Sequence, residues 1–183
     1  MVPVPDEQIL KLCRDAESKD RGFTLLMNKY KEKIYWHIRR IVISHEDAQD
    51  ILQETFINVY RHIGKFEEKS KLYTWLYRIA TNESIRLLNN KKIDLSASED
   101  ISGKLINTLK ENATESADSI LIKFQEAVLL LPEKQRLVFN LRYYDELSYE
   151  EISGILNSSV NALKTNYHLA SEKVKKYMLN QQL

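Results

Sequence analysis

A chain of 183 residues, 43% hydrophobic and 29% charged with four glycines and three prolines, suits one globular domain or two small ones. So few turn residues argue against an all-β or βαβ plan, which needs many tight connections. A net charge of +1 lacks the large cationic surplus of a stand-alone DNA binder.

The lone cysteine, Cys13, cannot close an internal disulfide, which fits a reducing compartment, and it reads as a small core residue behind Ile9 and Leu12. The opening MVPVPDEQ has neither a basic start nor an apolar core, so no signal peptide is expected. No apolar run approaches the roughly 20 residues of a membrane span, so a cytoplasmic protein without membrane insertion is expected. Charge is uneven: residues 1–93 carry a net +4, residues 94–118 a net −4 and residues 119–183 a net +1.

In chain order, a first helix is predicted from Asp6, as N-cap, to about Glu17. A second spans about Arg21 to Ile43, with Phe23, Leu26, Tyr30, Ile34, Ile38 and Ile41 at helical spacing. The third begins at the N-cap Ser44 and runs to about Ile63, closed by Gly64. Leu52, Phe56, Val59, Tyr60 and Ile63 fall on its core side. Opposite them lie Glu46, Asp47, Asp50, Gln53, Glu54 and Ile57. A solvated face usually mixes signs because i,i+4 pairs stabilise it, so this single-sign patch suggests a docking surface for a basic protein partner, with an ordinary solvated face as the other reading. Metal binding is not expected: His45 and Asp47 cannot share a face and no second histidine stands at i+4.

The fourth helix, KLYTWLYRIATNESIRLL (71–88), has Leu72, Trp75, Leu76, Ile79 and Leu87 as its buried stripe. Lys71, Arg78, Asn82 and Asn89 share another face, with Tyr73 and Tyr77 on a flank. Residues 71–92 carry five cations against Glu83 alone. Rings beside cations and amides suit unpaired nucleic acid, because bases stack on aromatics while Lys and Arg hold phosphate. A helix with its rings in the core and a solubilising cationic edge is the plainer alternative. The loop Lys65 to Ser70 before it is a place to receive an unstacked base.

Residues 94–118 are rich in Ser, Asn, Thr, Asp and Glu and read as a polar linker, with Leu105, Ile106 and Leu109 as one helical turn or docking contact. The second block starts near Ser119, breaks at Pro132 and resumes from Glu133 to Tyr144. Ser148 and Glu151 then form a capping box. Asn157 suits a left-handed helix end, and Ser158 or Ser159 caps a last helix with Val160, Leu163, Tyr167, Ala170 and Val174 on one face. This is a helix-turn-helix whose second helix exposes Asn161, Ala162, Thr165, His168 and Leu169, with Lys164 and Ser159 at the margin. Short polar side chains there suit base edges in a major groove; two packed helices without a DNA role is the alternative. The four histidines are scattered, and neither a glycine-rich phosphate loop nor a nucleophile constellation is present. No cofactor and no enzyme activity are expected.

The segments HEDAQDILQETFINVYRHIGKF and YTWLYRIATNESIRLL, followed by a tether and LLPEKQRLVFNLRYYDELSYEEISGILNSSVNALK, together resemble bacterial RNA polymerase sigma factors of the sigma-70 family, extracytoplasmic-function subgroup. The resemblance covers about residues 20–92 and 119–177. It implies an all-α protein of two small helical domains, with sigma region 2 in 1–93, a linker in 94–118, and region 4 in 119–183. Asp47, Asp50, Gln53 and Glu54 then match the surface for the polymerase β′ coiled coil. Lys71, Tyr73, Thr74, Trp75, Tyr77, Arg78 and Asn82 match the strand-melting and minus-ten helix. Ser158, Ser159, Asn161, Ala162, Lys164, Thr165 and His168 match the reader of the minus-thirty-five element. Implied partners are core RNA polymerase through its β′ coiled coil and β flap, promoter DNA and an anti-sigma factor.

There are departures. Asn166, Leu169 and Ser171 stand where many relatives carry arginine, which leaves phosphate anchoring to Lys164, Lys173, Lys175 and Lys176. A glycine frequent before the melting helix is replaced within Phe66–Ser70, and Asn161 replaces another. A conventional helix-turn-helix regulator acting without polymerase, and a helical adaptor binding only proteins, are the rival readings.

Overall fold

The computed structural model describes residues 4–94, 106–107 and 119–180, and among these it contains eight α-helices longer than one turn and no strand. Helix α1 (Asp6–Arg14) follows Pro5, which occupies the N-cap position expected for Asp6. Asp6 instead lies in the first turn, where its carboxylate meets Lys29 Nζ at 2.6 Å and the Tyr30 hydroxyl at 2.8 Å. The helix stops three residues short of the expected Glu17, at an extended Asp15. Helix α2 (Lys19–Val42) crosses α1 at Gly22. A Cβ there would stand 2.7 Å from the Cys13 backbone nitrogen, so only glycine permits the approach. Ile9, Leu10 and Cys13 are buried beneath this crossing.

Helix α3 (His45–His62) begins as expected, with the Ser44 hydroxyl accepting from the Asp47 amide at 3.3 Å. Its end differs: a 3-10 turn (Ile63–Lys65) follows, and no glycine among the described residues has a positive φ, so Gly64 is not a left-handed stop. Tyr60 was expected in the core but is 37% exposed, its ring edge-on to Phe23 and its hydroxyl donating to Asp20 at 2.8 Å. A polar tip with a surface acceptor in reach keeps a tyrosine at the rim. Helix α4 (Leu72–Asp94) outruns the expected Leu88 by six residues.

In the second block α5 (Ser119–Leu129) is broken from α6 (Glu133–Tyr143) at Pro132, which cannot donate a backbone hydrogen bond. The capping box at α7 (Tyr149–Leu156) is complete in both directions. Asn157 is left-handed at φ 49°, ψ 50°, and the Ser159 hydroxyl accepts from the Ala162 amide at 3.3 Å to open α8 (Val160–Asn180). Leu163, Ala170 and Val174 of the expected stripe are buried. Of the predicted linker, only Asp94, Ile106 and Asn107 are among the described residues; Ile106 packs against Ile43 and Leu129, while Leu105 and Leu109 lie outside them.

The two blocks are in contact. A continuous core takes in Leu26, Ile34, Ile38, Leu76 and Ala80 from the first block with Leu141, Ile152 and Ile155 from the second. Helix α4 is therefore buried on two sides. Leu72 and Leu76 are buried as predicted, while Trp75, Ile79 and Leu87 of the same stripe are only half-buried; Tyr77, expected on a flank, is buried, as are Thr74, Thr81 and Ser84.

Candidate nucleic-acid interface

Three surfaces carry the predicted functional residues, and the fold treats them differently. The first is the ridge of α3. Glu46, Asp50, Gln53 and Glu54 are exposed side by side, because the i,i+3,i+4 rows that bury Leu52, Phe56 and Val59 leave them opposite. Asp47 is half-buried and holds Lys91 Nζ at 2.6 Å. Beside the ridge, α2 and α3 enclose an apolar groove of about 1210 Å³ lined by Phe23, Met27, Trp36, Leu52, Phe56 and Tyr60. Trp36, 50% exposed, was not singled out from the sequence; a large ring on an exposed helical position was the available signal.

The second surface is α4, and its predicted residues divide into two sets. Trp75, Arg78 and Asn82 line an open cleft of about 760 Å³ with the loop residues Lys65, Phe66 and Lys69. Phe66 and Trp75 have centroids 5.1 Å apart at 38°, and Arg14 Nη2 donates to the Phe66 carbonyl at 2.7 Å, which ties the loop to α1. Asn58 and Glu83 close the wall through a 3.0 Å hydrogen bond. Arg78 and Asn82 are exposed at the mouth. The cleft thus offers an aromatic wall, a guanidinium, an amide and two lysines, which is the equipment to stack a base and hold its phosphate.

Lys71, Tyr73, Thr74 and Tyr77 lie on the other flank, against the second block. Glu151 of α7 takes Lys71 Nζ at 2.9 Å and accepts a hydrogen bond from the Tyr73 hydroxyl. Gly154 faces Thr74 so closely that a Cβ would stand 3.1 Å from its methyl group. The Tyr77 hydroxyl donates to Asp145 at 3.3 Å. Asp145, in the turn between α6 and α7, also meets Arg40 at 2.9 Å and His37 Nδ1 at 3.3 Å, and its side chain is only 7% exposed. Burial pushes the Asp145 carboxyl up, but His37 and Arg40 outweigh it and hold the group below the ordinary carboxylate range. Glu151 behaves likewise: desolvation raises it, while Lys71 and the Ser148 amide bring it lower. Burial, reinforced by Asp145, raises the Tyr77 hydroxyl, and burial pushes Tyr144 up to about 12.

The third surface is the amino end of α8. Ser159, Asn161, Lys164, Thr165 and His168 are exposed, while Ser158 and Ala162 are half-buried. Thr165 spends its hydroxyl proton on the Asn161 carbonyl at 3.1 Å, leaving the oxygen as an acceptor. Lys173 is tied to Gln135 at 3.0 Å, whereas Lys175 and Lys176 are exposed.

Comparison with known proteins places these surfaces in a family frame. Residues 26–92 match the family model for Sigma-70 region 2, and residues 121–174 match that for Sigma-70, region 4. The chain is 36% identical over 181 residues to the ECF RNA polymerase sigma factor SigW of Bacillus subtilis, covering 93% of this chain and 96% of that one. It is 33% identical over 180 residues to the RNA polymerase sigma-H factor of Pseudomonas aeruginosa, covering 93% and 92%. Among solved structures the fold resembles CnrH in complex with the cytosolic domain of CnrY (TM-score 0.70, 18% identity, 97% of this chain and 99% of that one). It also resembles the sigma factor RpoE bound to the anti-sigma factor NepR from Bartonella quintana (TM-score 0.69, 18% identity, 89% and 99%).

Proposed function

The chain belongs to the sigma-70 family, as an extracytoplasmic-function sigma factor of RNA polymerase, and we propose how its residues divide the work of promoter recognition. As a sigma factor it joins core polymerase and directs initiation at promoters. Residues 1–93 act as region 2, residues 94–118 as the linker and residues 119–183 as region 4. The α3 ridge, through Asp50, Gln53 and Glu54 with Asp47 at its edge, takes the basic β′ coiled coil. Its exposed single-sign carboxylates are suited to bidentate arginine. Region 4 contacts the β flap, and Leu121, Leu130 and Tyr143 are among the apolar side chains it leaves exposed.

On α4 the cleft of Trp75, Arg78 and Asn82 captures an unstacked minus-ten base, and Lys71, Tyr73, Thr74 and Tyr77 follow the melted strand. Ser158, Ser159, Asn161, Ala162, Lys164, Thr165 and His168 read the minus-thirty-five element from a major groove. The chain contributes no catalysis; the polymerase makes the RNA. An anti-sigma factor is its regulatory partner, as NepR is for RpoE of Bartonella quintana. None of the described helices is long and apolar enough to cross a membrane, which accords with action in the cytoplasm beside polymerase.

The observation that carries this reading is the cleft itself, where the loop ring Phe66 and the helix ring Trp75 meet beside Arg78 and Asn82. In-vitro transcription with purified core polymerase tests it. Promoter-specific transcripts that require both proteins are expected, and promoter binding by the chain alone that is unchanged by core would overturn it.

A further inference from the structure

Leu169 stands on the outer face of α8 with 44% of its surface in solvent, and apart from Leu179 in the last turn it is the one large apolar side chain that this helix exposes. Its neighbours on that face, Asn161, Thr165, His168 and Glu172, are polar and exposed. At about 100° per residue Asn161, Thr165 and Leu169 form a single row, opposite the buried Leu163, Ala170 and Val174. We propose that Leu169 is a specificity-determining residue of the promoter reader: it packs on the C5-methyl group of a thymine in the minus-thirty-five element. This rests on the assignment of α8 to the major groove there.

The chemistry of the groove singles out that target. Every base edge in a major groove presents hydrogen-bond donors or acceptors, and its one apolar group is the thymine methyl. A leucine against that methyl gains by removing both from water. Against cytosine it strips water from the exocyclic amine and offers no acceptor in return, so the wrong base costs a hydrogen bond. Attraction and penalty then select the same base. A lone leucine ringed by polar side chains is too small for a protein-docking patch, which takes a contiguous apolar area of some hundreds of Å².

Charge excludes the other DNA partner. Leu169 has no donor for a phosphate, and the exposed Glu172, three residues on, repels one. Lys173 is held by Gln135 at 3.0 Å. This level of the outer face therefore suits base edges rather than backbone. From Asn161 to Leu169 the helix rises about 12 Å, which is roughly three to four base-pair steps of about 3.4 Å. The two residues thus address different positions of one element.

Transcription by the full chain with purified core polymerase, from promoters randomised across the minus-thirty-five element, tests this. Wild type should select thymine at one position on either strand. Replacing that thymine by deoxyuridine removes the methyl group alone and should weaken closed-complex formation about fourfold, the factor for one apolar carbon withdrawn from water. Leu169→Ala should lose this penalty and accept other bases at that position, with the remaining positions unchanged. Leu169→Met keeps an apolar side chain of similar reach and should retain the penalty. Because the penalty is a ratio measured on one protein, a fall in the amount of folded variant does not alter it. No thymine preference in wild type, or a fourfold penalty that survives in Leu169→Ala, would overturn the inference. Asn161→Ala separates this from the assignment beneath it and should relax a different position. If Asn161→Ala and Leu169→Ala both leave every preference intact, α8 is not the reader and the site assignment falls with the inference. If Asn161→Ala relaxes its position while Leu169→Ala keeps the penalty, the inference falls alone.

Discussion

The ridge of α3 and the inner flank of α4 are neighbours in sequence and both polar, yet one is open and the other covered. On the ridge, Asp50, Gln53 and Glu54 face solvent. On the flank, the lysine and both tyrosines already have partners in the second block: Lys71 and Tyr73 in Glu151, and Tyr77 in Asp145. Like-charged carboxylates repel one another and gain from an outside cation, whereas a flank of tyrosines and a lysine is complementary to the chain's own acids. Polar composition alone therefore does not mark a surface as available; the sign of the charge relative to the rest of the chain decides what covers it.

The strongest way to break this contrast is to remove the apolar support of the cover. Ile152→Ala deletes a fully buried side chain where the blocks meet and should cost about 2–5 kcal/mol in urea unfolding. A cost near that of a surface substitution would mean that α7 does not pack on α4. On the open side, Asp50→Arg puts a cation among the ridge carboxylates and should weaken core binding by about 100-fold, read by fluorescence titration with core polymerase. Unchanged affinity would remove the ridge from the docking surface. A smaller effect separates the two sides of α4: Asn82→Ala should slow open-complex formation by about five- to tenfold and leave closed-complex binding nearly intact. Equal losses in permanganate reactivity and low-temperature gel shift would contradict that split.

The smallest effect is the pH dependence of the contacts made by Asp145. Asp145 faces His37 and Arg40 from α2 and Tyr77 from α4, and its carboxyl is held below its ordinary 3.8 in the folded chain. The folded state then binds fewer protons than the unfolded one, so the stabilisation is complete above that ordinary value and is lost as pH falls through it towards the lower folded one. The stability gap between wild type and Asp145→Asn should be widest near neutrality and shrink below about pH 4. A gap that does not change with pH would show that the charge is not what holds the turn in place.

Much of this arrangement is legible in the sequence because helix periodicity and end chemistry are local. The i,i+4 rows of α3 separate Leu52, Phe56 and Val59 from Asp50, Gln53 and Glu54, and Ser148 with Glu151, Asn157 and Ser159 spell the helix-turn-helix ends. What escapes is what depends on a second element. Thr81 and Ser84 return their hydroxyl protons to the carbonyls of Tyr77 and Ala80 four residues back, so they can be buried at little cost although their composition reads as polar. Glu151 is recognisable as a capping residue, but its reach to Lys71, eighty residues away, has no local signature. The groove beside the ridge is invisible for the same reason, since Phe23 and Met27 on α2 and Leu52 and Phe56 on α3 make a cavity only after the helices dock. Tyr60 fails in the other direction: its apolar ring fits the stripe, but Asp20 on α2 draws its hydroxyl to the rim.

The core that runs without interruption from Leu26 to Ile155 has a calorimetric consequence. Heated alone, the protein should melt in a single endotherm, because neither block can lose its packing while the other keeps its own. A helical unit of only about 60 residues is marginal by itself, so once drawn away from α4 the carboxy-terminal block needs polymerase or DNA as a replacement wall. Assembly with the enzyme would then exchange one solvent-excluding neighbour for another, with the fold of the promoter reader maintained throughout by whichever surface it is leaning on.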